Sequence, residues 1–136
     1  MLTGSPIIAV LPATDLDRAR RFYEEKLGLR VLRYDPGDQG ILFECGGGSR
    51  MYMYQRAEPT KAEHTVAMFE VEDVERAVDD LSANGVTFEQ YDLPGLQTNE
   101  KGIVEMEGER TAWFKDPEGN IVALGQMVER GREAGR

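Results

Sequence analysis

Few residues in this chain can do chemistry. The 136 residues include one histidine, His64, and one cysteine, Cys45. A Zn, Ni or Fe(II) site built on two histidines therefore cannot form within one chain. His64 stands as the candidate catalytic base or ligand. Cys45 has no sequence neighbour that would lower its thiol pKa. Alone, it also excludes an intrachain disulfide and a Cys-cluster zinc site. No nucleophile-elbow sequence is present to support a Ser–His–Asp triad. Glu72-Asp73 and Asp79-Asp80 are carboxylate pairs, but adjacent residues point in different directions on a helix, so they form no acid/base pair. Gly46-Gly47-Gly48-Ser49 is followed by no helical pattern, which makes it a hairpin turn and not a phosphate cradle. What remains is aromatic. Alternation puts Tyr52 and Tyr54 on one strand face and Met51 and Met53 on the other. Trp113 is the only tryptophan. Stacking and hydroxyl hydrogen bonding are the chemistry on offer, which is the chemistry of binding.

These side chains need a scaffold, and the sequence writes one twice. Asp15 opens a stretch with Leu16, Ala19, Phe22, Tyr23 and Leu27 at helical spacing, closed by Gly28. Asp73 opens another with Val74, Ala77, Val78 and Leu81, closed by Gly85. Asp is a good N-cap, and Gly tolerates the left-handed conformation that ends a helix. Strand-like runs flank both helices: 7–11, stopped near Pro12, then 29–34, 40–45, 50–55, 64–71, 86–93, 110–115 and 121–126. Turns are expected at 35–38 and at Asp116-Pro117-Glu118-Gly119-Asn120. Each copy is strand, helix and a three-strand meander. The expected fold is α+β, with two βαβββ modules in tandem: antiparallel sheets, each helix on one face, and a concave surface on the other. Module 1 covers about 6–56, a linker 57–63, and module 2 about 64–127, in one domain ending near 128. The second copy is lengthened at 94–102, where a loop can carry function. The tail 129–136 lacks apolar residues beyond Ala134 and is expected to fray.

Composition narrows the partners. The formal net charge of −9 disfavours nucleic acid and anionic membrane surfaces. No basic segment followed by an apolar run marks a signal peptide, and no run approaches the ~20 apolar residues of a membrane helix. The cytoplasm is the expected compartment.

The order of these pieces resembles the vicinal oxygen chelate superfamily, which includes glyoxalase I, bleomycin-resistance proteins and extradiol dioxygenases. Ala13-Thr14-Asp15-Leu16-Asp17-Arg18-Ala19, Phe22-Tyr23 and Leu27-Gly28-Leu29 carry the resemblance in the first module. Phe69-Glu70-Val71-Glu72-Asp73-Val74, Asn84-Gly85-Val86 and Phe114-Lys115-Asp116-Pro117-Glu118-Gly119-Asn120 carry it in the second. The resemblance implies paired βαβββ modules and a homodimer. It also implies metal ligands seven residues before each capping Asp and four past each turn glycine. Those positions hold Ile8 and Val66, then Tyr52 and Ala123. They offer no pair of good ligands, so no metal and no cofactor are expected. The same family geometry turns Ile8, Val10, Tyr52, Tyr54, His64, Val66, Met68, Trp113 and Ala123 toward the concavity as ligand-binding residues. The expected function is metal-independent binding of a small, mostly apolar or aromatic molecule, sequestered as in bleomycin resistance. The alternatives are a lyase, isomerase or dioxygenase-type enzyme with a degenerate or shifted site, and a non-catalytic scaffold or partner-binding module.

Overall fold

The computed structural model describes residues 1–34, 37 and 39–127. The expected turn at 35–38 falls mostly outside them, and the tail 129–136 falls wholly outside. The chain divides into two compact units, Met1–Ala62 with Asp116–Asn120, and Glu63–Lys115 with Ile121 onward.

The first unit contains β1 (Ala9–Ala13), α1 (Leu16–Arg21), β2 (Arg30–Tyr34), β3 (Gly40–Glu44) and β4 (Arg50–Gln55), in the sheet order β1-β4-β3-β2. Asp15 caps α1 by accepting the Arg18 N–H at 3.0 Å. The helix runs on as a π-helical turn over Phe22–Lys26, and Gly28 leaves it at φ 76°. Leu16, Ala19 and Tyr23 are buried along its inner side, where α1 meets β3 and β4. Leu11, Ala13, Ile41, Phe43, Met51 and Met53 make the buried sheet face. The meander pairs antiparallel, as expected. The helical crossover points β1 the same way as β2 and hence β4, so β1 adds to β4 in parallel. One expectation is corrected. The first strand lies at Ala9–Ala13 instead of 7–11 and passes through Pro12, which pairs in register with Tyr54. It is an edge strand in its sheet, and edges tolerate a proline.

The second unit repeats the plan with β5 (Thr65–Glu70), α2 (Val74–Ala83), β6 (Asp92–Leu93), β7 (Leu96–Gln97), β8 (Ile103–Met106), β9 (Glu109–Lys115) and β10 (Ile121–Met127). The sheet order is β5-β10-β9-β8, again with one parallel pair, β5 with β10. Asp73 caps α2 at the Arg76 N–H, 3.2 Å away. Val74 and Val78 are buried, and α2 packs on β9 and β10. Ala112, Phe114, Val122 and Leu124 form the buried face.

The strand expected at 86–93 is also corrected. Against β9 the segment makes only an isolated bridge, Phe88 with Phe114, and one hydrogen bond from the Glu89 N–H to the Trp113 carbonyl, while its last two residues pair with β7 instead. The fourth strand of the sheet is β8, which takes the rest of the β9 edge from Ile103↔Ala112 to Met106↔Glu109. Gly102 makes this exchange possible. It sits at φ 84°, and a Cβ there would lie 2.9 Å from the Glu89 carbonyl oxygen. A side chain would push the two edge segments apart. Among the described residues, no helix is long and apolar enough to cross a membrane.

Candidate functional site

Each sheet has one face committed to its helix, so a ligand surface can only be the other face. In the first unit that face carries Val10 paired in register with Tyr52, and Pro12 with Tyr54. Val10 is 56% exposed and both tyrosines are half-buried. Gly40 on β3 has a visible purpose here. The Tyr52 ring lies against it, and its hydroxyl fills the space that a Cβ would take. Ile8 is half-buried just ahead of β1.

In the second unit, register brings Met68, Ala123 and Trp113 side by side across β5, β10 and β9. Met68 is 57% exposed, Trp113 is half-buried and Ala123 is buried. Met68 lies over Gly125, where a Cβ would approach its sulfur at 2.6 Å. The Trp113 indole Nε1–H donates to the Thr65 hydroxyl at 3.1 Å. Its ring meets Tyr91 edge-on at 5.6 Å. Val66 is half-buried, where the β5–β10 register shifts. His64 is exposed, one residue ahead of β5, with no hydrogen-bond or ion-pair partner among the described residues. A general base needs a group to orient it, and His64 lacks one.

Tyr91 was not among the expected residues. The β6–β7 hairpin holds it: its N–H donates to the Thr98 hydroxyl at 2.9 Å, and the Thr98 N–H returns to its carbonyl at 3.0 Å. The length of the 94–102 segment is thus spent on placing an aromatic ring beside Trp113. Gln90, Tyr91, Asp92, Gln97 and Thr98 line a cavity of about 340 Å³. Burial, then the nearby Glu89 carboxylate, raises the Tyr91 phenol pKa. Burial and Glu44 likewise push the Cys45 thiol up, the wrong direction for a nucleophile.

The other unexpected residues are buried in the first unit. Tyr23 reads in the sequence as an apolar helix position, and Asp116-Pro117-Glu118-Gly119-Asn120 as a turn. In the structure the turn is a polar hub. Asp116 accepts the Tyr23 hydroxyl at 2.7 Å, the Asn120 side chain at 2.8 Å, and the backbone N–H groups of Glu118 and Asn120. Burial raises the Asp116 pKa against the pull of these bonds, and burial with the Asp116 charge holds Tyr23 well above the phenol range. Glu118 accepts the N–H groups of Thr14 and Asp15 at 2.8 and 3.2 Å. It also takes the Arg18 guanidinium on both oxygens, at 2.8 and 3.1 Å. Burial alone would raise its pKa, but these donors, Arg18 foremost, hold it below the ordinary value. Both carboxylates are hidden from any ligand, so this hub supports the face and does no chemistry on it. Among the described residues, no three His, Cys, Asp or Glu side chains converge as metal ligands do.

Comparison with known proteins agrees with this architecture. The family model of the Glyoxalase/Bleomycin resistance protein/Dioxygenase superfamily matches residues 7–124. The chain belongs to that superfamily. A lactoylglutathione lyase from Agrobacterium tumefaciens shares the fold with a TM-score of 0.64 and 22% identity, over 90% of this chain and 93% of that one. TnmS3, an antibiotic binding protein from Streptomyces sp. CB03234, has a TM-score of 0.66 and 20% identity over 93% and 98%. The fosfomycin resistance protein FosX from Mesorhizobium loti has 0.65 and 16% over 98% and 99%. No curated protein matches the chain.

Glu118 sets a pH prediction. Its folded pKa is lowered from 4.5, so the stability it provides is fully present above 4.5 and is lost as pH falls through the lower folded value. Asp116 works the other way, because its folded pKa is raised from 3.8. Protonating it on acidification relieves a buried charge. In urea melts at pH 7, Glu118→Gln should be less stable by ~1–2 kcal/mol, since it removes the charge that the Thr14, Asp15 and Arg18 donors meet. Between pH 7 and pH 3 it should lose less stability than the wild type. An equal or steeper acid loss would show that Glu118 is not the group responsible.

Proposed function

We propose that this chain binds a small, mostly apolar or aromatic molecule on the sheet faces turned away from its helices, and sequesters it without metal. One observation carries the reading. Trp113 presents its ring on the free face, fixed in orientation by Thr65 and Tyr91, with Met68 in register two strands away. A half-buried indole held by a hydrogen bond and an edge-on neighbour is a pre-ordered stacking surface, and ordering it beforehand removes that cost from binding. The competing position for Trp113, in the core beneath a helix, is occupied by Ala112 and Phe114. TnmS3 is an antibiotic binding protein. At 20% identity it demonstrates the shared fold, and its ligand enters here only as an example of what such a fold accommodates.

The chemistry of the site favours binding over turnover. Ile8, Tyr52, Val66 and Ala123 stand where the superfamily resemblance implies metal ligands, and none of them is a good one. Among the described residues His64 has no orienting partner. We place the active form as a cytoplasmic homodimer, the assembly that the resemblance implies.

Three measurements test this. Trp113→Ala should weaken an aromatic ligand by ~2 kcal/mol or more while shifting the melting temperature little. Saturating ligand should quench or shift wild-type emission. Unchanged emission, with binding established by calorimetry, would remove Trp113 from the site. Protein purified without chelators should carry no stoichiometric transition metal by mass spectrometry; near-stoichiometric metal that is lost in His64→Ala would overturn the metal-free reading. Light scattering should give twice the chain mass, and a monomer mass across a broad concentration range would refute the dimer.

A further inference from the structure

Two residues past Tyr54, the chain turns into a polar segment that borders Pro12 and Tyr54 at the end of the free face. Pro12, Tyr54, Arg56, Glu58, Thr60 and Lys61 line a cavity of about 400 Å³ there, all within the first unit. That volume is in the range of small-ligand pockets. Its electrostatics run against the rest of the molecule. The chain carries a formal net charge of −9, yet two cations face this cavity against the single carboxylate of Glu58. Arg18, Arg20, Arg30, Lys101 and Arg110 are each in an ion pair. Arg56 and Lys61 form none among the described residues, as is true also of Arg21, Arg33, Arg50 and Lys115, but these two share one cavity and stay unpaired even with Glu58 on it. Both are exposed, so their charges cost nothing to leave unpaired, and they are free to take a ligand's anion.

We propose that this cavity binds an aromatic carboxylic acid. Its ring lies on Tyr54 and Pro12, and its carboxylate sits between Arg56 and Lys61. The inference rests on the reading above that the free sheet faces take apolar or aromatic ligands, applies it to the first unit's face, and adds a negative charge to the ligand bound there. A guanidinium meets a carboxylate through two parallel N–H donors, and a lysine ammonium adds a point charge beside it. The aromatic stripe Tyr52–Tyr54 leads into the cationic end, so one flat molecule with an acid group satisfies both features.

Isothermal calorimetry with 2-naphthoate and its neutral isostere 2-naphthamide separates the parts. In low salt, naphthoate should bind about tenfold tighter than the amide, the effect of roughly one charge-assisted hydrogen bond. The preference should shrink as sodium chloride rises, because exposed charges are screened. The Arg56→Gln/Lys61→Gln double variant should lose the preference and keep both the amide's affinity and the melting temperature. Arg56→Lys, which retains the charge without the two-donor fork, should keep part of it. Glu58→Gln should tighten naphthoate binding. Equal affinity for acid and amide, or a preference that survives in the double variant, overturns the acid site and leaves the ligand-binding reading standing. No binding of either probe overturns the acid cavity alone, because the reading above is tested separately by Trp113 emission. Inorganic phosphate that displaces naphthoate at equal concentration marks a site for small oxyanions and overturns the aromatic assignment.

Discussion

A helix begins with backbone N–H groups that have no carbonyl behind them, and a buried one must find its acceptor elsewhere. At the start of α1 the local cap, Asp15, satisfies one donor. The N–H groups of Thr14 and Asp15 are satisfied by Glu118, which lies 104 positions further on from Thr14. The Glu118 side chain is 1% exposed, so its charge must also be matched, and Arg18 does this from the first turn of the same helix. Asp116 adds a second anchor through Tyr23, near the other end of that helix. Asn120 adds a third through the Pro12 carbonyl at 3.0 Å. With its start and its Tyr23 end pinned, α1 has a fixed place on the Ile41, Phe43, Met51 and Met53 face, and the opposite face is left clear.

That division of faces is what gives the chain a surface to use. A strand alternates, so filling one face with apolar side chains exports whatever sits between them. In β4 the exported residues are tyrosines, and in β9 the exported ring is Trp113. Large side chains on a flat sheet need room to lie down, and a glycine on a neighbouring strand provides it in both units: Gly40 beneath Tyr52 and Gly125 beneath Met68. Alanine at either glycine would lift the ring or the thioether off the sheet. The free faces are therefore shaped by the smallest residues in the sheets as much as by the largest.

Much of this could be read in advance, and the reasons differ from element to element. The capping Asp and closing Gly bracket both helices because caps are local chemistry. The alternation Met51-Tyr52-Met53-Tyr54 gave the faces of β4 correctly because period two is independent of context. What failed was pairing. Residues 86–93 look as strand-like as any stretch, but an apolar pattern cannot say which segment wins an edge, and β8 won most of it. Pro12 reads as a stop because the sequence does not reveal that β1 is an edge strand. Tyr91 carries no signal in the sequence, since its place beside Trp113 comes from a hairpin that only the fold forms. Glu118 and Asp116 read as turn residues, and turn they do. Their long-range bonds had no local signature, except that a turn with two carboxylates is an odd thing to bury.

The hub also has a consequence for how the protein is made. A ribosome delivers the chain from its first residue, and a self-contained leading unit could fold while the remainder is still being assembled. Here that head start is incomplete. When residues 1–62 have emerged, the donors of Thr14 and Asp15, the Tyr23 hydroxyl and the Arg18 charge still await partners that come at 116–118. The final closure of the first half must wait for nearly the whole of the second to be translated. The two halves look like a repeat in the sequence, but in time they finish together.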